Sequence, residues 1–157
     1  MTKVTIRPAT GNDANVFTDI CFRSKSHWGY PLEYIELWTS ELTISAEELA
    51  RHMAFAAVDG TGSVVGFGIL STNPPLAEVE HLYVDPAAIG EGVGRALLTR
   101  MFDQTLAGGC SAIELDSDPH ALGFYLKMGG VQIGDTPSTV IPGRSLPRVR
   151  IEIASGH

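Results

Sequence analysis

The sequence predicts a mixed α/β protein in which helices flank one sheet. Apolar residues recur every three or four positions through much of residues 12–52, as on the buried faces of helices. From residue 53 to residue 84 the pattern changes to period two with β-forming residues, which is typical of consecutive strands. Helical and strand patterns then alternate to the end. This order differs from the regular alternation of a doubly wound sheet.

The chain begins with a strand and a helix. Alternation over Lys3–Arg7 predicts the strand. Asn12 or Asp13 can cap the helix that follows, because short polar side chains accept from the N–H groups of the first turn. The apolar stripe of this helix consists of Ala14, Val16, Phe17, Ile20 and Cys21.

Two shorter helices and three strands come next. The helices are expected over Leu32–Trp38 and Ser45–His52, and Ser45 and Glu48 have the spacing of a capping box. A hairpin turn at residues 59–62 joins the first two strands. The three strands are expected at Met53–Val58, Val64–Leu70 and Ala77–Val84.

The second half alternates helices with short strands. A long helix is expected over Gly92–Leu106, and a second over Pro119–Met128 with Asp118 as its N-cap. Residues 138–144 form a loop. The strands are expected at Ala112–Leu115, Val131–Ile133 and Pro147–Ile153.

Composition limits the classes of function. The 157 residues favour one domain over residues 1–157, and 44% apolar against 18% charged residues exclude a disordered chain. A net charge of −7 argues against non-specific binding of nucleic acid or of an anionic membrane. The two cysteines, Cys21 and Cys110, are far apart and outside any Cys/His cluster, so we expect neither a disulfide nor a metal site.

The most informative segment is a glycine-rich turn between a strand and a helix. Gly90, Gly92 and Gly94 allow a left-handed backbone and a close approach of a ligand. Free N–H groups of the next helical turn converge on one point and suit a pyrophosphate. A tight turn that binds nothing has the same spacing, so the glycines alone leave both interpretations open.

Two other phosphate-binding motifs fit less well. A Walker loop requires Lys and Ser or Thr after its last glycine, but Arg95 and Ala96 follow here. A dinucleotide fingerprint requires a third glycine where Leu97 stands, although Glu114 and Asp116 lie at about the distance of its acidic residue. A nicotinamide oxidoreductase is therefore disfavoured but not excluded.

At these residues the chain resembles the GNAT N-acetyltransferase superfamily. Ile89-Gly-Glu-Gly-Val-Gly94 resembles the acyl-CoA signature of that superfamily, Gln/Arg-x-x-Gly-x-Gly/Ala. Asp118-Pro-His-Ala-Leu-Gly-Phe-Tyr-Leu-Lys-Met-Gly129 resembles its segment Asn-x-x-Ala-x-x-x-Tyr-x-Lys-x-Gly. With the element order, the resemblance covers nearly the whole chain. Ile89 replaces the usual Gln or Arg, Asp118 the usual Asn, and Gly130 a usual Phe.

The resemblance implies a GNAT fold and acetyl-CoA as acetyl donor. The fold is a twisted, mostly antiparallel mixed sheet, splayed centrally where acetyl-CoA inserts. The pantetheine arm would lie along the end of a strand, and the pyrophosphate would sit on the glycine-rich turn. The cofactor-binding residues implied are Leu82, Tyr83, Val84, Ile89, Gly90, Glu91, Gly92, Val93, Gly94, Arg95, Asp118 and Tyr125.

The resemblance also implies a direct transfer of the acetyl group to an amine. Tyr125 would protonate the departing sulfur, since the ordinary pKa of a phenol is near 10. Residues two apart on a strand face the same way, so Glu78 and Glu80 can both serve as base. Glu80 is ranked first because it stands nearer the expected thioester. Two adjacent carboxylates would also raise the pKa of one of them. His81 would face the other way, unless a bulge re-aims it, and is expected to be a packed or a surface histidine.

The expected acceptor site consists of His27, Trp28, Tyr30, Glu80 and Arg144. Arg144 could meet a carboxylate of the acceptor, or it could be a solvated loop residue.

The function predicted is N-acetylation of a small-molecule amine or an amino-acid-like acceptor. The alternative is a non-catalytic module that binds coenzyme A, favoured only by Ile89. No nucleic-acid or membrane partner is expected, a homodimer is a tendency of the family, and the start of the sequence favours the cytoplasm. The amine, the acyl chain length and the choice between the two glutamates remain open.

Overall fold

The computed structural model describes residues 3–153, and these contain seven strands and six α-helices. The strands are β1 (Thr5–Pro8), β2 (Met53–Val58), β3 (Val64–Asn73), β4 (Leu76–Val84), β5 (Ala112–Asp116), β6 (Gly130–Pro137) and β7 (Ser145–Glu152). The helices are α1 (Ala14–His27), α2 (Leu32–Leu37), α3 (Thr39–Leu42), α4 (Ala46–Arg51), α5 (Val93–Ala107) and α6 (Leu122–Lys127). Single 3-10 turns lie at Gly11–Asp13, Pro86–Ala88 and Pro119–Ala121.

The strands follow the order β1-β2-β3-β4-β5-β7-β6 in one sheet. β4 pairs in parallel with β5, whereas the pairs β1–β2, β2–β3, β5–β7 and β6–β7 are antiparallel. Parallel neighbours need a crossover connection, and α5 lies in the segment that joins β4 to β5. The predicted mixed sheet flanked by helices is confirmed.

The chain divides into two compact units. Of the described residues, the first unit comprises 3–70 together with His81–Arg100, and the second comprises Ser71–Glu80 together with 101–153. β4 and α5 each contribute residues to both units. The single domain expected over residues 1–157 stays a prediction.

In the first unit, α1 buries the stripe that its spacing predicts, with one exception. Phe17, Ile20 and Cys21 are fully buried, and the ring of Phe17 stacks on that of Phe67 with centroids 4.3 Å apart. Val16, in contrast, is 39% exposed. Its neighbour Phe17 occupies the core-facing position, and adjacent helical residues point about 100° apart.

The start of α1 is fixed by an ion pair to β1. Asp13 stands at the N-cap position of α1, but its side chain does not accept the predicted bond from the first turn. Its carboxylate instead accepts hydrogen bonds of 2.9 and 2.8 Å from the Arg7 guanidinium. The N–H of Thr10 donates a third bond of 2.8 Å to the same carboxylate. These three bonds compensate for the burial of Asp13, which is 8% exposed.

A glycine on β3 sets how closely α5 packs on the sheet. A β-carbon added at Gly66 would lie 2.8 Å from Cγ1 of Val93 and 2.9 Å from the carbonyl oxygen of Tyr83. Both distances are shorter than any ordinary carbon contact. The first turn of α5 can therefore lie against the end of β4 only because residue 66 has no side chain.

In the second unit, two elements differ from their predicted bounds. The helix expected over Pro119–Met128 is a 3-10 turn followed by the six-residue α6, although Asp118 does cap it as predicted, accepting from the N–H of His120. β6 has eight residues rather than three. It lies at the edge of the sheet with most of its side chains exposed, so its sequence carries little apolar alternation.

Candidate active site

The glycine-rich turn adopts the backbone that its glycines predict. Gly90 and Gly92 have φ values of 88° and 82°, in the left-handed region that residues with a side chain rarely adopt. A β-carbon placed on either residue would meet no atom within 4 Å. The space above both glycines is therefore open to a ligand group, and no side chain of the described residues fills it.

Backbone N–H groups line the start of α5. The first hydrogen bond of the helix runs from the N–H of Ala96 to the carbonyl of Gly92, at 3.0 Å. The N–H groups of Val93, Gly94 and Arg95 precede that bond, so the helix supplies no carbonyl for them. Three donors and the positive end of a 15-residue helix dipole suit an anion. These residues fit the diphosphate of coenzyme A.

The segment before the turn is held from both sides. Asp85, which follows β4, accepts a bond of 3.1 Å from the N–H of Ala87 and a bond of 2.6 Å from the Arg23 guanidinium of α1. Ile89, where the superfamily usually has Gln or Arg, is 48% exposed. The turn therefore offers backbone donors but no polar side chain at position 89, where the resemblance implies Gln or Arg.

The end of β4 carries the residues expected to run beside pantetheine. Leu82, Tyr83 and Val84 are half-buried, and the Tyr83 ring stacks on Phe67 with centroids 5.8 Å apart. The N–H of Asp85 donates to the carbonyl of Val65 on β3, at 2.8 Å. Both contacts fix this stretch against β3.

Glu78 and Glu80 have different partners, although both lie on β4 in the second unit. Two guanidinium nitrogens of Arg148 donate to the Glu78 carboxylate at 2.7 and 2.6 Å. Glu80 is exposed and accepts one bond of 2.7 Å from the hydroxyl of Ser71. The pKa of Glu78 is raised, mainly because burial disfavours its charged form and only to a minor degree because Glu80 is near. The sequence predicted such a shift from the adjacent carboxylate alone.

Tyr125 on α6 is buried, with 5% of its surface exposed. Burial raises the pKa of its phenol far above the ordinary value, and the negative charge of Asp118 raises it further. The phenol therefore keeps its proton at neutral pH and can donate it as a hydrogen bond.

Asp118 and His120 form a local pair ahead of α6. The Asp118 carboxylate caps the 3-10 turn through the N–H of His120, at 2.9 Å, and lies 3.0 Å from Nδ1 of the same histidine. Part of its hydrogen-bonding capacity is thus used within the turn. Any cofactor contact of Asp118 stays a prediction.

A buried lysine organises the wall expected for the acceptor, and sequence reasoning missed it. The ammonium of Lys25 lies 5.0 Å from the Trp38 ring centroid, 5.4 Å from that of Tyr30 and 5.8 Å from that of Tyr83. Such contacts favour a cation over aromatic faces. Its position four residues after Cys21 places Lys25 on the buried stripe of α1, and this spacing could have identified it.

The other residues predicted for the acceptor belong to both units. His27 and Trp28 are exposed and pack edge to face with ring centroids 4.9 Å apart. Arg144 lies in the second unit, in the loop before β7, where its carbonyl accepts a bond of 2.7 Å from the N–H of Ser138. The five residues expected for the acceptor are therefore divided between the two units.

His81 is a packed residue, as predicted. Its Nε2 lies 3.0 Å from Oε2 of Glu48, and its ring is near those of Phe67 and Tyr83. The N–H of Glu48 donates to the Ser45 hydroxyl at 3.1 Å, which is one half of the predicted capping box. The carboxylate expected to complete that box pairs with His81 instead.

Within residues 3–153, no helix has the length and apolar character needed to cross a membrane. Both cysteines in that range are buried and unpaired with each other.

Comparison with known proteins identifies relatives for most of the chain. The model of the acetyltransferase (GNAT) family matches residues 19–130. The glucosamine 6-phosphate N-acetyltransferase of Trypanosoma brucei brucei is 33% identical over 76 residues, which are 44% of this chain and 52% of that protein. The IAA acetyltransferase of Azospirillum brasilense is 34% identical over 106 residues, 64% of this chain and 65% of that one. The matches thus span between half and two thirds of these relatives.

Solved structures share the fold over nearly the full length. A GCN5-related N-acetyltransferase from Rhodopseudomonas palustris superposes with a TM-score of 0.81 at 24% identity, covering 97% of both chains. The PaiA N-acetyltransferase from Thermoplasma acidophilum, solved in complex with coenzyme A, gives a TM-score of 0.79 at 22% identity, covering 96% of this chain and 99% of that one. At these identities the likeness concerns the fold.

Proposed function

The chain belongs to the acetyltransferase (GNAT) family, and from this premise we propose that it transfers an acetyl group from acetyl-CoA to the amine of a small molecule. The observation that carries the proposal is the open glycine-rich turn at the start of α5. It offers left-handed glycines at positions 90 and 92 and three N–H groups that the helix leaves without a carbonyl. An otherwise acidic chain needs such a local donor set to hold a diphosphate.

The residues of the turn and of β4 hold the donor in this proposal. Ile89 to Arg95 bind the diphosphate through backbone N–H groups, and Leu82 to Val84 align the pantetheine arm. Acetyl-CoA supplies an activated acetyl thioester when it is bound.

Two side chains of the second unit transfer protons in the reaction, one as a base and the other as an acid. The Glu80 carboxylate accepts a proton from the acceptor amine, which needs a free lone pair to attack. The Tyr125 hydroxyl donates toward the sulfur as it departs, and its raised pKa keeps that hydroxyl protonated across the working pH range. His27, Trp28, Tyr30 and Arg144 are proposed for the acceptor. The dimer and the cytoplasmic location stay predictions.

The first experiment measures coenzyme A binding by calorimetry. Gly92→Ala places a side chain in the open space of the turn, so we expect the Kd to rise about tenfold or more, which corresponds to roughly 1.4 kcal/mol. Gly62→Ala is the matched control, because Gly62 also has a left-handed backbone, with φ of 88°, and open space around it, but lies in the β2–β3 turn. Equal Kd values for the two variants would argue against the turn as the diphosphate site.

The second experiment measures turnover, as release of the coenzyme A thiol with a panel of amines that includes glucosamine 6-phosphate and amino acids. Glu80→Gln should lower kcat by about 100-fold and Tyr125→Phe by about tenfold or more, as for loss of a general base or acid. Glu152→Gln is the control, since Glu152 is an exposed carboxylate at the end of β7. Tight binding of coenzyme A without turnover of any amine would instead favour a non-catalytic module.

A further inference from the structure

Arg148 pairs with Glu78, one of the two glutamates of β4 proposed as base. Its guanidinium forms a bidentate pair with Glu78, the geometry in which Arg binds a carboxylate most strongly. Among residues 3–153, Glu80, two residues later, accepts a single hydrogen bond, from the neutral hydroxyl of Ser71. The Arg148 side chain is 23% exposed and that of Glu78 is 34% exposed, so their pairing is partly shielded from water.

The pairing lies where β4 stops pairing with β5. Three rungs join these strands, and in the last of them Glu78 stands opposite Glu114. Like charges placed opposite each other destabilise a sheet. Arg148 reaches from β7 across β5 and also donates to Glu114, at 3.2 Å, so one guanidinium bridges the two carboxylates of the rung and offsets part of their repulsion.

The charges around Glu78 come from three strands. Arg148 faces it from β7, Glu114 and Asp116 from β5, and Glu80 from β4 itself. Burial and the nearby carboxylates raise the pKa of Glu78, and the opposing effects come from Arg148. Arg148 is therefore the group that keeps Glu78 charged and in place.

We infer that Arg148 is a positioning residue, which fixes Glu78 in the last β4–β5 rung and leaves Glu80 as the carboxylate of β4 that takes the proton of the acceptor amine. This inference rests on the proposed acetyl transfer. It decides between the two bases that the sequence left open, because both oxygens of the Glu78 carboxylate are engaged by the guanidinium, whereas Glu80 is exposed and, among residues 3–153, only its Oε2 is engaged, by one hydroxyl.

The first test compares rate against pH in Arg148→Met and Arg150→Met. Arg150 is the matched control, since it also pairs with Glu114, at 2.8 Å, but is bonded to Glu152 rather than Glu78. Without Arg148, Glu78 and Glu80 become two coupled carboxylates that hold a shared proton more tightly. In Arg148→Met we expect the acid limb of the kcat/KM profile to move to higher pH by about one unit, which lowers the rate on that limb about tenfold. In Arg150→Met the acid limb should stay in place.

A double variant separates this role from a merely structural one. Arg148→Met combined with Glu78→Gln removes the second carboxylate, so the acid limb should return to its wild-type position. The inference is wrong if the double variant keeps the shifted limb, or if both single arginine variants show the same pH dependence.

A measurement that needs no activity tests the same contact. The side-chain carboxyl of Glu78, assigned by the loss of its signal in Glu78→Gln, is titrated by carbon NMR. Its titration midpoint should rise in Arg148→Met and not in Arg150→Met, and an unchanged midpoint in Arg148→Met overturns the inference. Absence of turnover in the wild type would instead count against the proposed acetyl transfer.

Discussion

Ser71 on β3 donates a hydrogen bond of 2.7 Å to Oε2 of Glu80 on β4, and this bond fixes the orientation of the carboxylate proposed as base. Ser71→Ala removes the donor, and we expect kcat to fall about tenfold, the effect of roughly 1.4 kcal/mol from one bond to a charged group. Ser71→Thr keeps a hydroxyl and should retain most of the rate. Steady-state kinetics with the best amine check this, and equal kcat values for the two variants would contradict it.

Asp118 raises the pKa of Tyr125, so its charge can be tested directly. Asp118→Asn removes one negative charge but keeps an oxygen that can cap the turn before α6. A phenolate forms more easily without a nearby anion, so Tyr125 should ionise at a lower pH than in the wild type, though still above the ordinary value of about 10, because its burial remains.

Ultraviolet titration of tyrosinate measures this change, and Tyr125→Phe identifies the signal. Asp135→Asn is the control, since it removes an equal charge from exposed β6 and Asp135 does not contribute to the shift of Tyr125. Superimposable titrations of the wild type and Asp118→Asn would show that the carboxylate does not act on the phenol.

Gly66 allows the first turn of α5 to approach β3. In Gly66→Ala the new methyl group would lie 2.8 Å from Val93 and 2.9 Å from the backbone of Tyr83, so the helix must shift. We expect a loss of about 1–3 kcal/mol in the free energy of unfolding, as for overpacked cores. Gly60→Ala has no atom within 4 Å of the added carbon and serves as control in urea denaturation. Equal losses of unfolding free energy in both variants would show that the close approach of α5 to β3 does not cause the loss.

The Arg7–Asp13 pair predicts how stability depends on acid. The Arg7 guanidinium, above all by hydrogen bonding, lowers the pKa of Asp13 in the folded protein. A lowered folded-state pKa gives stability that is present above the unfolded value of about 3.9 and is lost as the pH falls through the folded-state value.

Asp13→Asn should therefore cost about 1–3 kcal/mol at pH 7, since it weakens a buried network, and cost progressively less below pH 4. Denaturant unfolding at several pH values measures the difference from the wild type. A cost that is constant with pH would exclude the carboxylate charge as its source.

Local signals in the sequence were sufficient for the glycine-rich turn and for most of the elements, although they did not predict α3. The left-handed glycines at 90 and 92, the cap at Asp118 and most of the buried stripe of α1 each depend on residues close together in the chain. The bounds of α6 and β6 were less accurate, because a six-residue helix and an exposed edge strand carry weak periodicity.

Residue patterns alone were enough to predict the family, the position of the glycine-rich turn and the two candidate bases on β4. Only the tertiary structure decided what surrounds those bases, because their partners are distant in the chain: Arg148 lies 70 residues from Glu78, and Ser71 approaches Glu80 only when β3 pairs with β4. The burial of Lys25 among three aromatic rings was decided in the same way, since the rings come from separate segments of the chain. The spacing of apolar residues in the sequence indicates which face of a strand or helix is buried. The partner of a charged side chain, in contrast, depends on how distant segments of the chain pack.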